Sequence, residues 1–238
     1  SIKATSQYTV EEILEMGKWA VEFGQFSLKI FNDIVLGNNA FVDPATADIY
    51  THRTYYMGMV DENNHINFYD GKVRVVDPDG KEFVKYAPND YTKHIAEHVE
   101  PWTYLKFPYL KNVGWKGFTD GKDSGVYMAT PLSRLNAADG MATPLAQAEY
   151  ERFYSTLGGK PVHQRLATHW ARLIELLYAA EHWVAVPPGR DPQPVRPLSA
   201  RGIGGRGHGE PDGGGSAPAS PLLPHLGWGS GRGARGGA

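Results

Sequence analysis

The residues best suited to metal chemistry lie between positions 94 and 98. His94, Glu97 and His98 form an H-x-x-E-H pattern. On a helix the two imidazoles would lie one turn apart on the same face, where they could bind Zn²⁺ while the glutamate acts as a general base. Glu175 or Glu181 would have to supply the third ligand, and nothing in the sequence around them supports that role. A zinc metallopeptidase built on residues 94–98 is therefore kept as an alternative function.

Two other groups of charged residues are interpreted as structural. Asp77, Asp79 and Glu82 lack the twelve-residue ligand spacing of a calcium loop, so we predict that they stabilise a turn. Arg134 lies within the Pro- and Leu-containing block 131–136. Because an unpaired guanidinium is costly to bury, Arg134 is predicted to bind a buried carboxylate or backbone carbonyls, and a contact with another polypeptide is the alternative.

The last part of the chain contains two motifs that are associated with ligand binding. Residues 202–207 match G-x-G-x-x-G. Pro-rich sequence precedes the motif and Gly-rich sequence follows it, where a dinucleotide site would need a strand and a helix, so such a site is not predicted. Arg-Gly pairs at 205–207, 231–233 and 235–237 are typical of segments that bind single-stranded nucleic acid. A non-catalytic binding module with this Arg-Gly tail is a further alternative, although few aromatic residues accompany the arginines.

Composition excludes several classes of protein. The chain has 238 residues, no Cys and a formal net charge of -2. Without thiolates it cannot form disulfides or hold a cysteine-ligated iron–sulfur cluster. Its nearly balanced charge predicts neither nucleic acid nor anionic lipid as a partner. No apolar run is long enough to span a membrane and no signal peptide opens the chain, so we expect a cytoplasmic protein that associates with membranes only through partners.

The first predicted element is a long amphipathic helix. Thr9 and Glu12 form a capping box before it, and Gly37 ends it. Apolar residues recur within it at helical spacing. They are Ile13, Ala20, Phe23, Ile30, Phe31 and Ile34. This stripe is predicted to face the protein's own core, and a partner-binding helix is the alternative.

Later elements complete a mainly helical α+β fold with a small inserted antiparallel meander. Its strands are predicted where short runs of β-branched and aromatic residues are separated by Asp-Gly and Asn-rich turns. These runs are 55–60, 66–69, 73–76 and 82–84. Further helices are predicted at 89–98, from Thr143 to Gly158 and from Pro161 to beyond Ala180, and the last two should pack antiparallel.

The stretch 94–145 is rich in aromatic, Pro and Gly residues. Four prolines divide it into short rigid pieces. Its large aromatic side chains are predicted to be covered by the rest of the fold. They are Trp102, Tyr104, Phe107, Tyr109 and Trp115.

Three segments of this stretch carry a resemblance to a known family. Residues 100–109 read Glu-Pro-Trp-Thr-Tyr-Leu-Lys-Phe-Pro-Tyr, residues 130–136 read Thr-Pro-Leu-Ser-Arg-Leu-Asn, and residues 143–146 read Thr-Pro-Leu-Ala. In order and spacing they resemble the middle of the large subunit of nickel–iron hydrogenases, in particular the uptake and high-affinity actinobacterial types. The resemblance extends from the first helix to Glu181. It implies a catalytic large subunit, which oxidises dihydrogen and passes electrons to an iron–sulfur small subunit.

The absence of thiolates limits what this resemblance implies. The family's nickel–iron centre is held by two Cys-x-x-Cys pairs, and this chain has neither. Nitrogen and oxygen ligands cannot replace soft thiolates there without changing the chemistry. We therefore expect residues 1–186 to be an inactive central fragment, with no catalytic, cofactor-binding or metal-binding residues, whose partner is the iron–sulfur small subunit. Its first residue, Ser1, favours a missing true N-terminus.

The composition changes at the end of the chain. Residues 187–238 are dominated by Gly, Pro, Ala and Arg, with almost no periodic apolar pattern. Such a segment cannot bury enough apolar surface to offset the loss of chain entropy on folding. It is predicted to be either a disordered low-complexity tail or an out-of-frame reading of a GC-rich gene.

Overall fold

The predicted α+β class is confirmed by the computed structural model, which describes residues 9–185, without the side chains of Val10 and of 44–46. Helices make up most of the regular structure, and two small sheets complete it. The predicted tail at 187–238, with its G-x-G-x-x-G and Arg-Gly motifs, lies outside the described residues. Within residues 9–185, no helix is long and apolar enough to cross a membrane.

Helix α1 (Val10–Ile30) begins at the predicted capping box. The Thr9 hydroxyl accepts a hydrogen bond from the Glu12 backbone N–H at 3.2 Å, and the Glu12 carboxylate accepts one from the Thr9 N–H at 2.7 Å. These contacts satisfy two amide groups that have no partner within the helix. The helix continues as a π-helical segment, Phe31–Leu36, and ends at Gly37 as predicted. A short helix, α2 (Asn39–Thr46), follows.

The main sheet contains the predicted meander. Strands β1 (Tyr55–Val60), β2 (Lys72–Val76) and β3 (Glu82–Tyr86) pair antiparallel in chain order. The predicted strand at 66–69 is not formed, because the Asn67 side chain accepts hydrogen bonds from the Tyr69 and Asp70 N–H groups and bends the chain there. A two-residue strand, Tyr127–Met128, pairs parallel to β1 and completes the sheet.

The second sheet replaces a predicted helix. Only Tyr91–His94 form a short helix, α3, and the chain then extends as β4 (Ile95–Val99). Strand β4 pairs antiparallel with β5 (Lys106–Leu110) along its whole length. The prediction of a helix at 89–98 is therefore wrong. The backbone groups of residues 95–99 form their hydrogen bonds with β5 instead of within a helix. The two-residue strand Tyr127–Met128 is β6.

The core lies where helices pack on β1 and on one another. After β6 come α4 (Pro131–Ala137), α5 (Pro144–Thr156) and α6 (Thr168–Ala185). The predicted packing of α5 against α6 is present, since the ring centroids of Phe153 and Trp170 lie 5.2 Å apart. Helix α6 begins at Thr168 rather than at Pro161, because Gln164 bridges to Thr51 and a 3₁₀ turn precedes the helix.

Candidate protein-binding surface

Four aromatic side chains form one connected group at the surface, which we call the aromatic platform. Its members are Trp102, Phe107, Trp115 and Phe118. Ring centroids lie 6.0 Å apart between Trp102 and Phe107, 5.8 Å between Phe107 and Trp115, and 5.2 Å between Trp115 and Phe118. Trp102 is 70% exposed and Phe118 is 61% exposed. The rings therefore contact one another while leaving much of their area in water.

The β4–β5 hairpin holds the centre of the platform. Phe107 on β5 lies opposite His98 on β4, and the His98 ring stacks on Trp115 with a centroid distance of 4.4 Å. The Glu100 carboxylate contacts His98 Nε2 at 2.8 Å and fixes the orientation of that ring. The two paired strands thus place two rings, His98 and Phe107, beside Trp115 of the following loop.

The loop after β5 positions the rest of the platform. The Leu110 N–H donates to the Gly125 carbonyl at 2.8 Å, and the Gly125 N–H donates to the Gly114 carbonyl at 2.8 Å. A Cβ at Gly125 would lie 2.7 Å from the Leu110 carbonyl oxygen, so only glycine permits this approach. These bonds close the loop that carries Trp115 and Phe118.

A cleft with several polar side chains borders the platform at Phe118. The cleft has a volume of about 420 Å³ and is also lined by His52, Thr54, Asp120 and Arg165. The Asp120 carboxylate contacts His52 Nδ1. The buried Thr54 hydroxyl donates to the Val126 carbonyl at 2.5 Å. Because that hydroxyl is already engaged, the cleft supplies hydrogen-bonding groups beside the platform rather than a nucleophile.

The exposure of these aromatic residues was not predicted from the sequence. Trp102 and Tyr104 were expected to be covered, but Tyr104 is 95% exposed. The expectation fails because residues 100–105 form the loop between β4 and β5, which pair only with each other in a two-stranded sheet, so no neighbouring strand covers the loop. Exposed apolar groups of this kind mark interaction sites, and Trp is among the residues that contribute most to protein interfaces.

The H-x-x-E-H residues do not form a metal site. His94 ends α3 and stacks on Tyr86 at 4.1 Å, whereas Glu97 and His98 are neighbours on a strand and point to opposite faces. Lys106 donates to the Glu97 carboxylate at 2.9 Å. The alternative of a zinc site is therefore not supported, because a strand with period two replaces the helix that would have placed both imidazoles on one face. Within residues 9–185, no group of three or more His, Cys, Asp or Glu residues is arranged to hold a metal ion.

Both candidate third ligands have structural partners instead. The Glu175 carboxylate accepts two hydrogen bonds of 2.6 Å from the guanidinium of Arg134, which confirms the predicted pairing of that arginine with a buried carboxylate. The Glu181 carboxylate accepts from the backbone N–H groups of Leu145 and Ala146 at 2.9 and 2.8 Å. Sequence reasoning missed this second role, because a cap supplied from a distant helix leaves no local spacing signal.

The acidic residues of the β2–β3 turn have the predicted structural role. Asp77 accepts hydrogen bonds from the Asp79 and Lys81 N–H groups at 2.9 and 3.0 Å. Burial alone would raise the pKa of Asp77, but hydrogen bonds from Lys122 and from these backbone groups lower it. Glu82 pairs with Arg74 at 2.8 Å. These contacts explain the carboxylates without a calcium ion.

Comparisons with known proteins point to one group of enzymes. No family model matches the sequence. The chain is 39% identical to an iron-sulfur subunit of the F420-non-reducing hydrogenase of Archaeoglobus profundus, over 91% of this chain and 44% of the relative. It is 35% identical to the beta subunit of the NAD-reducing hydrogenase HoxS of Cupriavidus necator, over 68% of this chain and 31% of the relative. The chain is similar to hydrogenase subunits.

A solved structure agrees with this hydrogenase relationship. The crystal structure of an NAD+-reducing [NiFe]-hydrogenase in the H2-reduced state matches 74% of this chain and 38% of its own chain, with a TM-score of 0.63 and 29% sequence identity. The chain is also 45% identical to a vhu subunit of the F420-non-reducing hydrogenase of Methanocaldococcus jannaschii, over 54% of this chain and 28% of the relative. The hydrogenase-like chain therefore spans less than half the length of these relatives.

The comparisons correct two predictions, one about the type of subunit, the other about its partner. The relative that aligns over 91% of this chain is named an iron-sulfur subunit, so the prediction of a nickel–iron large subunit is wrong. The prediction that an iron–sulfur small subunit is the partner is wrong for the same reason. The relatives' names give no support to a zinc metallopeptidase or to an Arg-Gly binding module. The segments 100–109, 130–136 and 143–146 indicate a hydrogenase but not the type of subunit. Their Pro and aromatic residues determine local packing, whereas the metal ligands distinguish one subunit from another.

The residues of this chain do not fit the metal groups that the relatives' names imply. Iron–sulfur clusters are held by cysteine thiolates, and nickel and iron in a soft site require the same donors. The 238 residues contain no Cys. This chain therefore has no thiolate donors with which to hold an iron–sulfur cluster or a nickel–iron centre.

Proposed function

We propose that this chain is a component of a hydrogenase and that it acts by assembling with other hydrogenase polypeptides through the aromatic platform. The observation that carries the proposal is the exposure of Trp102 and Phe118 within one connected ring group. Oxidation or production of dihydrogen would belong to the assembled enzyme, whose metal groups other polypeptide segments would hold. We further propose a cytoplasmic location, a domain formed by residues 1–186 and a separate low-complexity segment at 187–238.

The contacts of the platform support a stable interface. Burying a large aromatic side chain that is exposed in the free protein is worth about 1.5–3 kcal/mol, and central aromatic residues often dominate binding. Glu100, whose carboxylate contacts His98 Nε2 at 2.8 Å, and the His98 ring provide polar groups beside the aromatic rings. An apolar centre with a polar rim is the usual arrangement of a protein interface.

Co-purification with known hydrogenase subunits tests the proposal. The full chain would be co-expressed with the remaining subunits of the Archaeoglobus profundus F420-non-reducing hydrogenase, and complexes would be separated by size-exclusion chromatography. We expect a complex with the unchanged chain and at least a tenfold loss of affinity with the Trp102→Ser/Phe118→Ser double variant, since about 1.4 kcal/mol corresponds to one factor of ten.

The matched control is Tyr69→Ser, which removes a 78% exposed aromatic ring outside the platform. We expect this variant to bind as the unchanged chain does. Equal binding by the double variant and by the control would contradict the proposal.

Metal analysis of the purified chain tests the second part of the proposal. Because the chain has no thiolate donors, we expect no stoichiometric iron or nickel in the isolated protein, before or after incubation with iron and sulfide. The control is a hydrogenase subunit that contains cysteine pairs, treated in the same way. Stoichiometric metal bound by this chain alone would show that its His and carboxylate residues form a site that the structure does not reveal.

A further inference from the structure

Helix α1 and the π-helical segment that continues it have an exposed apolar face that no described residue covers. The face is a stripe of six side chains, each at least 40% exposed. They are Met16, Trp19, Phe23, Phe26, Ile30 and Ile34, and we call them the α1 stripe. The most exposed are Trp19 and Phe23, each at 61%. Exposed apolar surface of this extent is typical of a protein–protein interface and unusual on a protein that remains a monomer.

The opposite face of α1 is already used by the fold. Gly17, Gly24 and Leu28 are buried there, and a Cβ at Gly24 would lie 3.3 Å from Leu177 Cδ1 on α6. The two glycines allow α1 to lie close to α6, and the large side chains of α1 lie on the face away from the core. The prediction that the apolar stripe faces the protein's own core is therefore wrong for four of its six members, Ala20, Phe23, Ile30 and Ile34, which are exposed. The helix has two apolar faces, and only the one with glycines is packed.

The spacing of the α1 stripe specifies the shape of its partner. Its members recur at intervals of three and four residues, which is the pattern of the seam between two packed helices. From Met16 to Ile34 the stripe is about 27 Å long, because each residue adds about 1.5 Å along a helix. A helix of about five turns with its own apolar seam would cover it.

The charges of α1 specify the chemistry of that partner. Five acidic and only two basic side chains lie along Val10–Leu36, and one of the basic residues, Lys29, is paired with Asp33 at 2.5 Å. Glu15 and Glu22 are exposed on α1 near Trp19 of the stripe. A partner helix with Lys or Arg beside its apolar seam would meet these carboxylates with opposite charge.

We propose that the α1 stripe binds an amphipathic helix of about five turns whose apolar seam is flanked by Lys and Arg residues. A second copy of α1 fits less well, because its acidic flank would face the same acidic flank. An anionic membrane surface is disfavoured for the same reason. More than half of the Archaeoglobus profundus relative lies outside the aligned region, so hydrogenase sequence of sufficient length exists to supply such a helix.

Binding of designed helical peptides to the full chain tests this proposal. The probe is a fluorescently labelled peptide of about 21 residues with Leu at the seam positions and Lys at the flanking positions, and its binding would be followed by fluorescence anisotropy. We expect at least tenfold weaker binding for a peptide with the same seam and Glu flanks. The affinity for the Lys peptide should also fall as salt rises, because salt screens the exposed charges.

Two variants separate the α1 stripe from the aromatic platform. Phe23→Ser/Phe26→Ser removes two exposed rings from the stripe, and we expect at least a tenfold loss of peptide affinity with an unchanged thermal transition. Trp102→Ser should leave peptide binding unchanged. This result would hold even if the proposed hydrogenase assembly failed, so the two proposals can fail separately.

Three outcomes would overturn the proposal. Equal binding of the Lys and Glu peptides would show that charge does not select the partner. Self-association of the chain in analytical ultracentrifugation, abolished by Phe23→Ser/Phe26→Ser, would show that the stripe binds a second copy. Binding to vesicles of phosphatidylserine and phosphatidylcholine, abolished by the same variant, would show that it binds a membrane surface.

Discussion

The guanidinium of Arg134 donates two hydrogen bonds of 2.6 Å to the carboxylate of Glu175, from Nε to Oε1 and from Nη2 to Oε2. This bidentate pair joins α4 to α6. The Glu175 side chain is only 9% exposed, so its charge is largely removed from water and depends on the arginine for compensation. The pair therefore links the block that carried the family resemblance to the longest helix of the second half of the chain.

Removing one partner of this pair should destabilise the protein. We expect Arg134→Met to lower the free energy of unfolding by about 3 kcal/mol, because a buried carboxylate loses its counter-charge. Urea denaturation would measure the change. Lys93→Met is the control, since it breaks the exposed Lys93–Asp90 pair, which water screens, and should cost much less. A loss no larger than that of the control would contradict the structural role given to Arg134.

Truncation of Glu181 should destabilise the start of α5. Its carboxylate accepts from two backbone N–H groups of the first turn and from the Thr143 hydroxyl at 2.6 Å. We expect Glu181→Ala to cost about 2 kcal/mol, because it leaves buried donors without acceptors. The control is Glu151→Ala, at an exposed position of α5 itself, which should change the free energy of unfolding by less than about 0.5 kcal/mol. Thermal unfolding followed by circular dichroism would separate the two, and equal transitions would refute the capping role.

A methyl group added at Gly58 should disturb the contact between β1 and α4. Its Cβ would lie 2.9 Å from the Cα of Arg134 and 3.2 Å from the Cβ of Ala137. We expect Gly58→Ala to cost about 1–3 kcal/mol, because backbone atoms must move. Gly140→Ala should cost less, since its Cβ would meet the ends of two side chains, His65 and Gln147. Denaturant midpoints of the two variants measure the difference, and the reverse order would be inconsistent with the packing described.

Stability should fall on mild acidification partly through His163. Burial lowers the pKa of His163 below its usual value of 6.5, and the nearby charge of Arg53 lowers it further. The unfolded chain therefore binds a proton near pH 6.5, whereas the folded protein binds it only at lower pH. The stability from neutral His163 is present above pH 6.5 and is lost as pH falls through the window between the two pKa values.

The variant His163→Asn tests this pH dependence. Tyr56 Oη lies 2.6 Å from Nδ1 of His163, and the Oδ1 of asparagine, which is also bonded to Cγ, can accept the same hydrogen bond. We expect the variant to lose less stability than the unchanged chain between pH 7.5 and pH 5.5, measured by urea denaturation at each pH. His169→Gln, at an exposed position, should follow the unchanged chain. Parallel curves for all three proteins would rule out this role for His163.

Local chemistry allowed much of the fold to be predicted. The capping box at Thr9, strand β1 and the Asp77 turn each depend on neighbours within a few residues, and each is present. Pairing of residues 95–99 with 106–110 is less local, and it overrode the predicted helix. Capping and turn motifs that depend on neighbouring residues were therefore predicted correctly. A weak local preference for helix was not, because strand pairing with a distant segment outweighed it.

The candidate surfaces were the least predictable part of the molecule. Periodicity shows that α1 has an apolar stripe, but it does not show which of two apolar faces meets α6. The buried glycines, Gly17 and Gly24, decide this by permitting close contact. Exposure of Trp102 likewise depends on the pairing of β4 with β5, which places this residue in the connecting loop. Both properties arise from the arrangement of distant elements, which a single sequence does not encode in any short window.

The close approach of Gly24 to Leu177 links the interior of the protein to its outer surface. A larger residue at position 24 would force the axes of α1 and α6 apart, since its Cβ would also lie 3.4 Å from the Leu177 Cα. Such a shift would displace Trp19 and Phe23 together, because both belong to the same rigid rod. The buried glycine at position 24 therefore also determines where the exposed rings of α1 lie, and a helix that binds them must match that geometry.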